Sequence, residues 1–353
     1  MFRFLAKKLF YGILIMIGVI VVVFSLFNLL PVDAARLTLG QRADVESIDA
    51  IRKELGLDQP KWKQLMMYFK EVSPLSIEKN TPEAKEKFKY IPLFKVSKEK
   101  VFVLKRPYLK RSYQTKRDVW DILIEAMPQT ILLAFAAMFL ACIVGIPLGV
   151  AAAVKQHTWF DNIAMTVSVF GISVPSYFSA MILGYFFGIL WHNWTGLNHI
   201  GGLFVIDDYG NEIIEWKNLI LPSIALGTRP IGTIFQLTRS SMLEVLNQDY
   251  IRTAKAKGLT FINILFKHAL RNALNPVVTA ISGWFAGLLA GAFFVEVIFG
   301  INGLGFTAVD ALLKFDFPVA AGTVLFTALI FIVINILVDI LYTILDPRIK
   351  IGK

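Results

Sequence analysis

The stretch EVLNQDYIRTAKAKGLTFINILFKHALRNALNP, residues 244–276, is the one long polar segment among the later hydrophobic runs of the chain. It concentrates basic and imidazole side chains, namely Arg252, Lys255, Lys257, Lys267, His268 and Arg271. A short helix is predicted over residues 250–257, and Gly258 is placed to end it in the left-handed conformation that glycine adopts at low cost. A second helix is predicted over residues 261–274. The segment is therefore expected to form a helix-turn-helix.

Polar residues able to cap these helices stand just before them. Asn247 or Asp249 is predicted to cap the first helix, and Thr260 the second, through side-chain oxygens that accept from free backbone N–H groups. The second helix is amphipathic at a 3.6-residue period. Its apolar face comprises Ile262, Leu265, Phe266, Ala269, Leu270 and Ala273. Its polar face comprises Asn263, Lys267, His268, Arg271 and Asn275. Such a segment suits a cytoplasmic surface bound by another protein, but a solvated loop that obeys the positive-inside rule has the same pattern.

Two parts of the stretch carry a family resemblance. DYIRTAKAKG at residues 249–258, followed by HALRNALNPVVT at residues 268–279, resembles the cytoplasmic signature of binding-protein-dependent ABC importer permeases. The form is that of the first, B-type permease of the oligopeptide, dipeptide and nickel family. Arg252 stands where the general signature has Glu, and Arg271 where it has Pro, as is typical of the peptide-type branch.

The resemblance implies that this loop, residues 244–276, contains a coupling helix that docks in a cleft of an ATPase subunit. The residues to which it assigns that coupling are Asp249, Tyr250, Arg252, Ala254, Ala256, Lys257, Gly258, Lys267 and Arg271.

Composition places the chain in a membrane. Of its 353 residues 56% are hydrophobic, and the mean hydropathy is +0.61, which is rare for a soluble domain. The net charge of +10 does not indicate nucleic-acid binding, because no basic patch is interleaved with aromatic residues. The single cysteine, Cys142, lies in an apolar run and excludes an intrachain disulfide. The predicted fold class is all-α and polytopic.

Six transmembrane helices are predicted from runs longer than about 18 uncharged residues. They cover residues 9–30, 130–154, 163–191, 219–237, 277–298 and 319–345. Short segments assigned to the cytoplasm are rich in Lys and Arg, whereas short external segments hold only Lys217 and Lys314. The positive-inside rule therefore predicts that both termini are cytoplasmic. The predicted organisation is a first helix at 1–31, an external segment at 32–118 and a five-helix core at 119–353.

The external segment is the main non-membrane part of the chain. Short helices are predicted over residues 51–60 and 62–69. Residues of about 74–106, rich in Lys, Glu and Pro, are interpreted as an insertion relative to the family. They are either a solvated decoration or a contact for the binding protein.

Motifs for covalent chemistry are missing from the sequence. It contains no GxxxxGK(S/T), no HExxH and no CxxC, so no ATP, zinc or other cofactor site is predicted and the chain is not expected to be an enzyme. His192 and His199 match no standard zinc spacing. The glycine-rich GINGLG, residues 300–305, follows no strand and is interpreted as a tight turn folding back into the pore mouth. The family resemblance supports this turn through Glu296, Phe299, Gly303 and Gly305, which match E-x-x-F-x-x-x-G-L-G.

Intramembrane polar residues are candidates for function. Arg229 lies near the middle of the predicted fourth span, beside Pro230, which is expected to kink that helix. Asp339 is the first candidate for its acidic partner and Glu296 the second. The alternatives are a structural ion pair and a pore lining for a polar substrate. Asn335 and Asp339 share a helix face at i, i+4 and are equally suited to helix packing.

The resemblance implies half of a heterodimeric pore in the cytoplasmic (inner) membrane of a bacterium or archaeon. Its expected partners are a second homologous permease, two ABC ATPase subunits, an external substrate-binding protein and the lipid bilayer, with no nucleic acid. The expected substrates are peptides, although oligopeptide, dipeptide, nickel-chelate and glutathione systems share this permease signature and the sequence does not choose among them. The competing hypothesis is an ion-coupled secondary transporter or channel, which would use the intramembrane charges as coupling sites.

Overall fold

The computed structural model describes residues 2–29, 58–97, 99–207 and 209–345. The predicted helix at 51–60 lies mostly outside these residues. Internal contacts divide the chain into two units. The N-terminal unit comprises Phe2–Ala126 and Thr307–Leu329, and the central unit comprises Met127–Phe306 with the segment from Ile330 onward.

Most described residues are helical. The elements up to the second long helix are α1 (Phe2–Leu29), α2 (Lys61–Val72), β1 (Leu75–Lys79), α3 (Pro82–Phe88), β2 (Ile91–Lys95), β3 (Lys100–Leu104) and α4 (Val119–Val154). The next are α5 (Trp159–Ser173), α6 (Ser176–Leu183), a π-helix π1 (Gly184–Leu190), α7 (His192–Thr195), β4 (Phe204–Ile206), β5 (Glu212–Ile214) and α8 (Lys217–Leu246). The last are α9 (Asp249–Ala256), α10 (Phe261–Asn263), a π-helix π2 (Ile264–Leu270), α11 (Arg271–Gly291), α12 (Phe293–Phe299), α13 (Leu304–Leu313) and α14 (Phe317–Leu345).

The insertion at about 74–106 folds as a small α/β element. Its three strands form an antiparallel sheet in the order β1-β3-β2, and Tyr90, Val101 and Val103 make its core. The all-α prediction is wrong here and at the β4–β5 hairpin. The alternation of exposed and buried residues along β1 and β3 is the period-two pattern of a strand, which the high charge of the segment obscured.

A buried ion pair lies beneath this sheet. Lys105 Nζ lies 2.9 Å from Glu78 Oε1, with 0% and 6% of the two side chains exposed. Lys70 Nζ and Ser76 Oγ also donate to the Glu78 carboxylate. Burial alone raises the pKa of Glu78, but the hydrogen bonds from Lys105, Lys70 and Ser76 outweigh it and hold that pKa below its ordinary value.

Three helices within the described residues are long and apolar enough to span a membrane, at Leu5–Phe27, Val119–Val154 and Phe317–Val338. They correspond to the predicted first, second and sixth spans. The second begins at Val119, eleven residues before the predicted 130, and it includes Pro128 and Pro147. Two further helix pairs pass the same test together but are bent, which gives up to five spans.

The predicted third span is broken. Helix α5 and the α6–π1 run meet at 105°, so a single helix over 163–191 is wrong. Val174 between them is extended, with ψ 127°, because the residue before a proline is disfavoured in the helical region. Pro175 also has no N–H to continue the helix.

Helix α8 is the central packing element of its unit and contacts α5, α6 and α11. It is longer than the predicted 219–237 and runs without a break through Pro222 and Pro230. Its charged residues are Lys217, Arg229, Arg239 and Glu244. Helix packing is close, since a Cβ on Gly232 would lie 2.6 Å from the Ser168 carbonyl oxygen. A helix surrounded by protein can carry more polar residues than one that faces lipid.

The predicted second coupling helix does not end at 274. The chain stays helical from Phe261 through π2 and α11 to Gly291, with Pro276 inside. The predicted fifth span at 277–298 is instead bent by 58° before α12.

Candidate functional site

Helix α9 is attached to the central unit by its apolar side. Ile251 is fully buried and Ala254 nearly so. They pack in a cluster that also contains Val150, Ala153, Met242, Ile264, Leu265, Ala269 and Ala273. An isolated helix of this length is unstable in water, so this cluster determines where the eight residues of α9 are held.

The ends of α9 differ in part from the prediction. The N-cap position is Gln248, without a side-chain cap bond, so Asn247 and Asp249 do not cap it. Asp249 instead forms an exposed ion pair with Arg252 at 3.2 Å. Tyr250 Oη accepts from Asn272 Nδ2 at 2.9 Å, which joins α9 to α11. Thr260 occupies the N-cap position of α10 but makes no cap bond through its side chain.

Gly258 ends the first helix as predicted. Its φ is +75°, and its N–H donates to the Lys255 carbonyl at 3.0 Å. A Cβ at this position would meet no atom of the described residues within 4 Å. The need for glycine is therefore conformational rather than steric.

The segment 255–262, called the coupling tip below, projects apolar and basic groups together. Leu259, Phe261 and Ile262 are 39%, 51% and 67% exposed. Lys255, Ala256 and Lys257 are also exposed. Lys267 and Arg271 are exposed farther along the helical run. Apolar groups at the centre with basic groups around them are a typical composition for a protein-binding surface.

The predicted apolar face of the second helix is only partly correct. Leu265, Ala269 and Ala273 are buried, but Ile262 and Phe266 are exposed and Ile264 is buried instead. Ile264 and Phe266 lie in π2, where a π-turn contains more residues than an α-turn and changes the helical phase. Ile262 precedes π2, in α10, and is exposed there.

A buried ion pair near this site was not anticipated from the sequence. Arg239 of α8 donates from Nε to Asp161 Oδ1 at 2.5 Å and from Nη2 to Asp161 Oδ2 at 2.7 Å. The His157 N–H adds a bond to Asp161 Oδ2 at 3.1 Å. Only 3% of the Asp161 side chain is exposed. The pair fixes the start of α5 to the part of α8 that leads into α9; its members are 78 residues apart, and no sequence signal linked them.

Arg229 is exposed, and among the described residues its side chain binds a carbonyl. Its Nε donates to the Ile172 carbonyl oxygen at 3.2 Å, and its guanidinium carbon lies 5.7 Å from the centre of the Trp284 ring. Glu296 is not its partner, because other groups surround that carboxylate. The side chain of Asp339 is not among those that the structure describes, so the Arg229–Asp339 pair stays a prediction.

Glu296 lies at the centre of the predicted glycine turn. It is 0% exposed; Thr130 Oγ1 donates to its Oε1 at 2.7 Å, and the Phe306 N–H donates to its Oε2 at 3.0 Å. Cβ atoms on Gly303 or Gly305 would lie 2.5 Å and 3.0 Å from Oε2. Phe299 is buried beside them. The motif residues therefore meet around one tight turn between α12 and α13. The carboxylate requires glycine at 303, and the Phe293 Cα, which would lie 2.5 Å from a Cβ at 305, requires it there.

The remaining polar candidate bonds to its own helix. Asn335 Nδ2 donates to the Phe331 carbonyl oxygen at 2.8 Å in α14. Across the described ranges, no three His, Cys, Asp or Glu side chains are grouped as a metal site. Several apolar helices of membrane-spanning length, two pairs of them bent at a break, are typical of transporters. The fold and the site thus define a polytopic membrane transport subunit.

Comparison with known sequences makes this class specific. Residues 145–351 match the family described as the binding-protein-dependent transport system inner membrane component, and residues 1–81 match the N-terminal family of the same membrane components. The chain belongs to this family. It is a permease subunit of an ABC importer in the inner membrane, and its family implies ATPase activity on separate subunits and a substrate-binding protein.

Full-length relatives agree. The dipeptide transport system permease protein DppB of Escherichia coli (strain K12) is 34% identical over 371 residues, covering 100% of both chains. A putative peptide transport system permease protein of Brucella abortus (strain 2308) is 36% identical over 345 residues, covering 98% of each. An inward-facing structure of the MetNI methionine ABC transporter shares the fold with a TM-score of 0.51 at 17% identity, over 64% of this chain and 97% of that one. An ion-coupled transporter or channel is not favoured.

Proposed function

We propose that this permease imports peptides and that its coupling tip docks on an ABC ATPase subunit. The observation that carries the docking proposal is the two-sided character of α9 and the turn after it. One side is buried in the cluster around Ile251, while Leu259, Phe261 and Ile262 remain exposed among lysines. Because the coupling tip is attached rigidly to the rest of its unit, a partner protein bound to its exposed apolar residues could move the whole unit.

The peptide substrate is supported by the relatives, which are named as dipeptide and peptide permeases and align over nearly the full chain. Half of the pore would come from this chain and half from a second, homologous permease. The external binding protein would deliver the peptide. No nucleic-acid partner is proposed.

The proposed topology has six spans and cytoplasmic ends. Five are the three apolar helices and two bent pairs, and the sixth is α8. Helix α8 would be the fourth span, and its polar residues are compatible with this because many of its side chains are buried by neighbouring helices. The coupling tip would then face the cytoplasm, and the insertion sheet would face outside.

The coupling mechanism follows from these contacts. Closure of the ATPase dimer would move the coupling tip, and the cluster around Ile251 would carry that motion into α8. The Arg239–Asp161 pair would pass it to α5 and so to the 105° bend. Rigid-body motions of this kind switch a pore between inward-open and outward-open forms. ATP can shift that equilibrium only if the ATPase pair binds the two forms with different affinity.

Co-purification of the complex tests the docking proposal. The importer is solubilised from its native membrane, and ATPase retention is compared for wild type, Ile262→Asp and Gly258→Asp. Ile206→Asp in β4 is the matched control, because Ile206 is 73% exposed and Ile262 67%. The two coupling-tip variants are expected to lose most of the bound ATPase and of the transport-linked ATP hydrolysis, and the control to keep both.

Retention of the ATPase in all three variants, with normal peptide uptake, would show that the coupling tip is not the docking surface. Uptake of no peptide by the wild-type complex in proteoliposomes would reject the peptide assignment.

A further inference from the structure

Arg229 occupies an unusual position for a charged residue. It lies twelve residues from the start of α8, a helix of 30 residues, and so about 18 Å along the helix axis. A charge near the middle of a spanning helix is costly unless it faces protein, water or a ligand. Arg229 is nevertheless exposed, so packing within this chain does not bury its charge.

The side chain is held at one edge only. Its Nε donates to the Ile172 carbonyl at 3.2 Å, in the last turn of α5, where the bend leaves carbonyl groups without helical donors. Its guanidinium is placed near the Trp284 ring, which favours a cation. A guanidinium has five N–H donors, and this carbonyl takes one. The other edge, with both Nη groups, is paired with no carboxylate among the described side chains.

From this geometry we infer that Arg229 binds the carboxylate of a peptide as it passes through the pore. The inference rests on the proposed peptide function and adds the substrate group that is recognised. A planar guanidinium offers two parallel N–H donors to a carboxylate, an arrangement that a lysine cannot provide. The bond to Ile172 and the Trp284 face restrict the side chain in advance, which reduces the ordering cost of binding.

Arg229→Gln separates this role from a purely structural one. Glutamine keeps an N–H donor for the Ile172 carbonyl but loses the charge and the second edge. The full importer with its own binding protein is reconstituted in proteoliposomes. Uptake is measured for one peptide with a free C-terminal carboxylate and for the same peptide with a C-terminal amide. Because the binding protein is unchanged, its own selectivity cancels when each variant is compared with wild type.

The expected result is selective loss. Arg229→Gln should reduce uptake of the carboxylate peptide about tenfold or more, which is the scale of one lost hydrogen bond to a charged group, and change uptake of the amide less than about twofold. Arg229→Lys should give an intermediate loss for the carboxylate peptide. Asp339→Asn should leave the preference for the carboxylate peptide intact.

Three results would overturn the inference. One is an equal loss for carboxylate and amide peptides in Arg229→Gln, which indicates damage to the pore. Another is wild-type uptake of both peptides, which indicates that Arg229 only caps α5. The third is an Asp339→Asn variant with the same selective loss as Arg229→Gln, which indicates an internal ion pair. Failure of the wild-type importer to transport either peptide rejects the proposed function instead, and so the two failures are distinguishable.

Discussion

Removal of Arg239 is expected to destabilise the chain strongly, and the structure sets the size of the effect. Arg239→Met keeps much of the side-chain volume but removes both bonds to Asp161. Among the described residues, the carboxylate, 3% exposed, would then keep the His157 N–H as its one hydrogen-bond donor. Breaking a fully buried pair from one side lowers the free energy of unfolding by about 3–5 kcal/mol, because an uncompensated charge remains. Since 18% of the Arg239 side chain is exposed, a loss at the lower end, about 3 kcal/mol, is expected. Arg239→Lys keeps the positive charge but cannot make two parallel hydrogen bonds to the carboxylate. A loss of about 1.5–3 kcal/mol in the free energy of unfolding is therefore expected.

The assay is equilibrium unfolding of the purified chain in mixed micelles, followed by tryptophan fluorescence. Arg252→Met is the matched control, because the Arg252–Asp249 pair has side chains 74% and 94% exposed and such pairs contribute about 0–1 kcal/mol. The double variant Asp161→Leu with Arg239→Met should recover most of the loss, since no buried charge is left. If Arg239→Met costs no more than Arg252→Met, the reasoning from burial is refuted.

Three further predictions concern single positions. Gly258→Ala should lower the free energy of unfolding by about 1–2 kcal/mol, because alanine is strained in the left-handed conformation, and should weaken the stimulation of ATP hydrolysis by loaded binding protein. The control Gly283→Ala, at a position with open space and no positive φ, should change neither quantity. Equal stimulation of ATP hydrolysis in the two variants would contradict this prediction. Gly303→Ala would place Cβ 2.5 Å from Glu296 Oε2 and Thr130 Oγ1, so the turn should open to limited proteolysis; unchanged cleavage would argue against the tight turn. Folding lowers the pKa of Glu78, so the ionised carboxylate stabilises the fold at pH values above its ordinary pKa of 4.5. This contribution to the free energy of unfolding is lost as the pH falls below that pKa. Hydrogen exchange in β1 and β3 should therefore accelerate in acid in wild type, and Glu78→Gln should remove most of that pH dependence.

Local signals explain the successful predictions. Gly258 ends α9 because its own backbone conformation decides the turn. The burial of Ala254, which the resemblance assigns to the coupling residues, was not predicted. The glycine turn around Glu296 was recognisable because a short motif places its residues a few positions apart. Signals of this kind act within one or two helical turns, where the chain has little freedom to place residues otherwise.

Proline illustrates where local signals fail. Pro147, Pro222 and Pro230 lie inside continuous helices, whereas Pro175 follows a 105° bend. The residue type is the same, and what differs is its surroundings, because neighbouring helices can satisfy or leave open the backbone groups that proline frees. The bend therefore had to be seen in the structure.

Composition and short-range periodicity were enough to predict the membrane class, three of the spans, the basic loop and its glycine turn. The tertiary structure alone decided which groups meet. It paired Arg239 with Asp161 and placed the Arg229 guanidinium on a carbonyl of α5. It also formed π2, in which Ile264 is buried and Phe266 exposed. Each of these features depends on helices that are distant in sequence or on a change of helical phase. A charge needs a buried partner only where the packed helices exclude water, so its pairing is decided after the helices have packed.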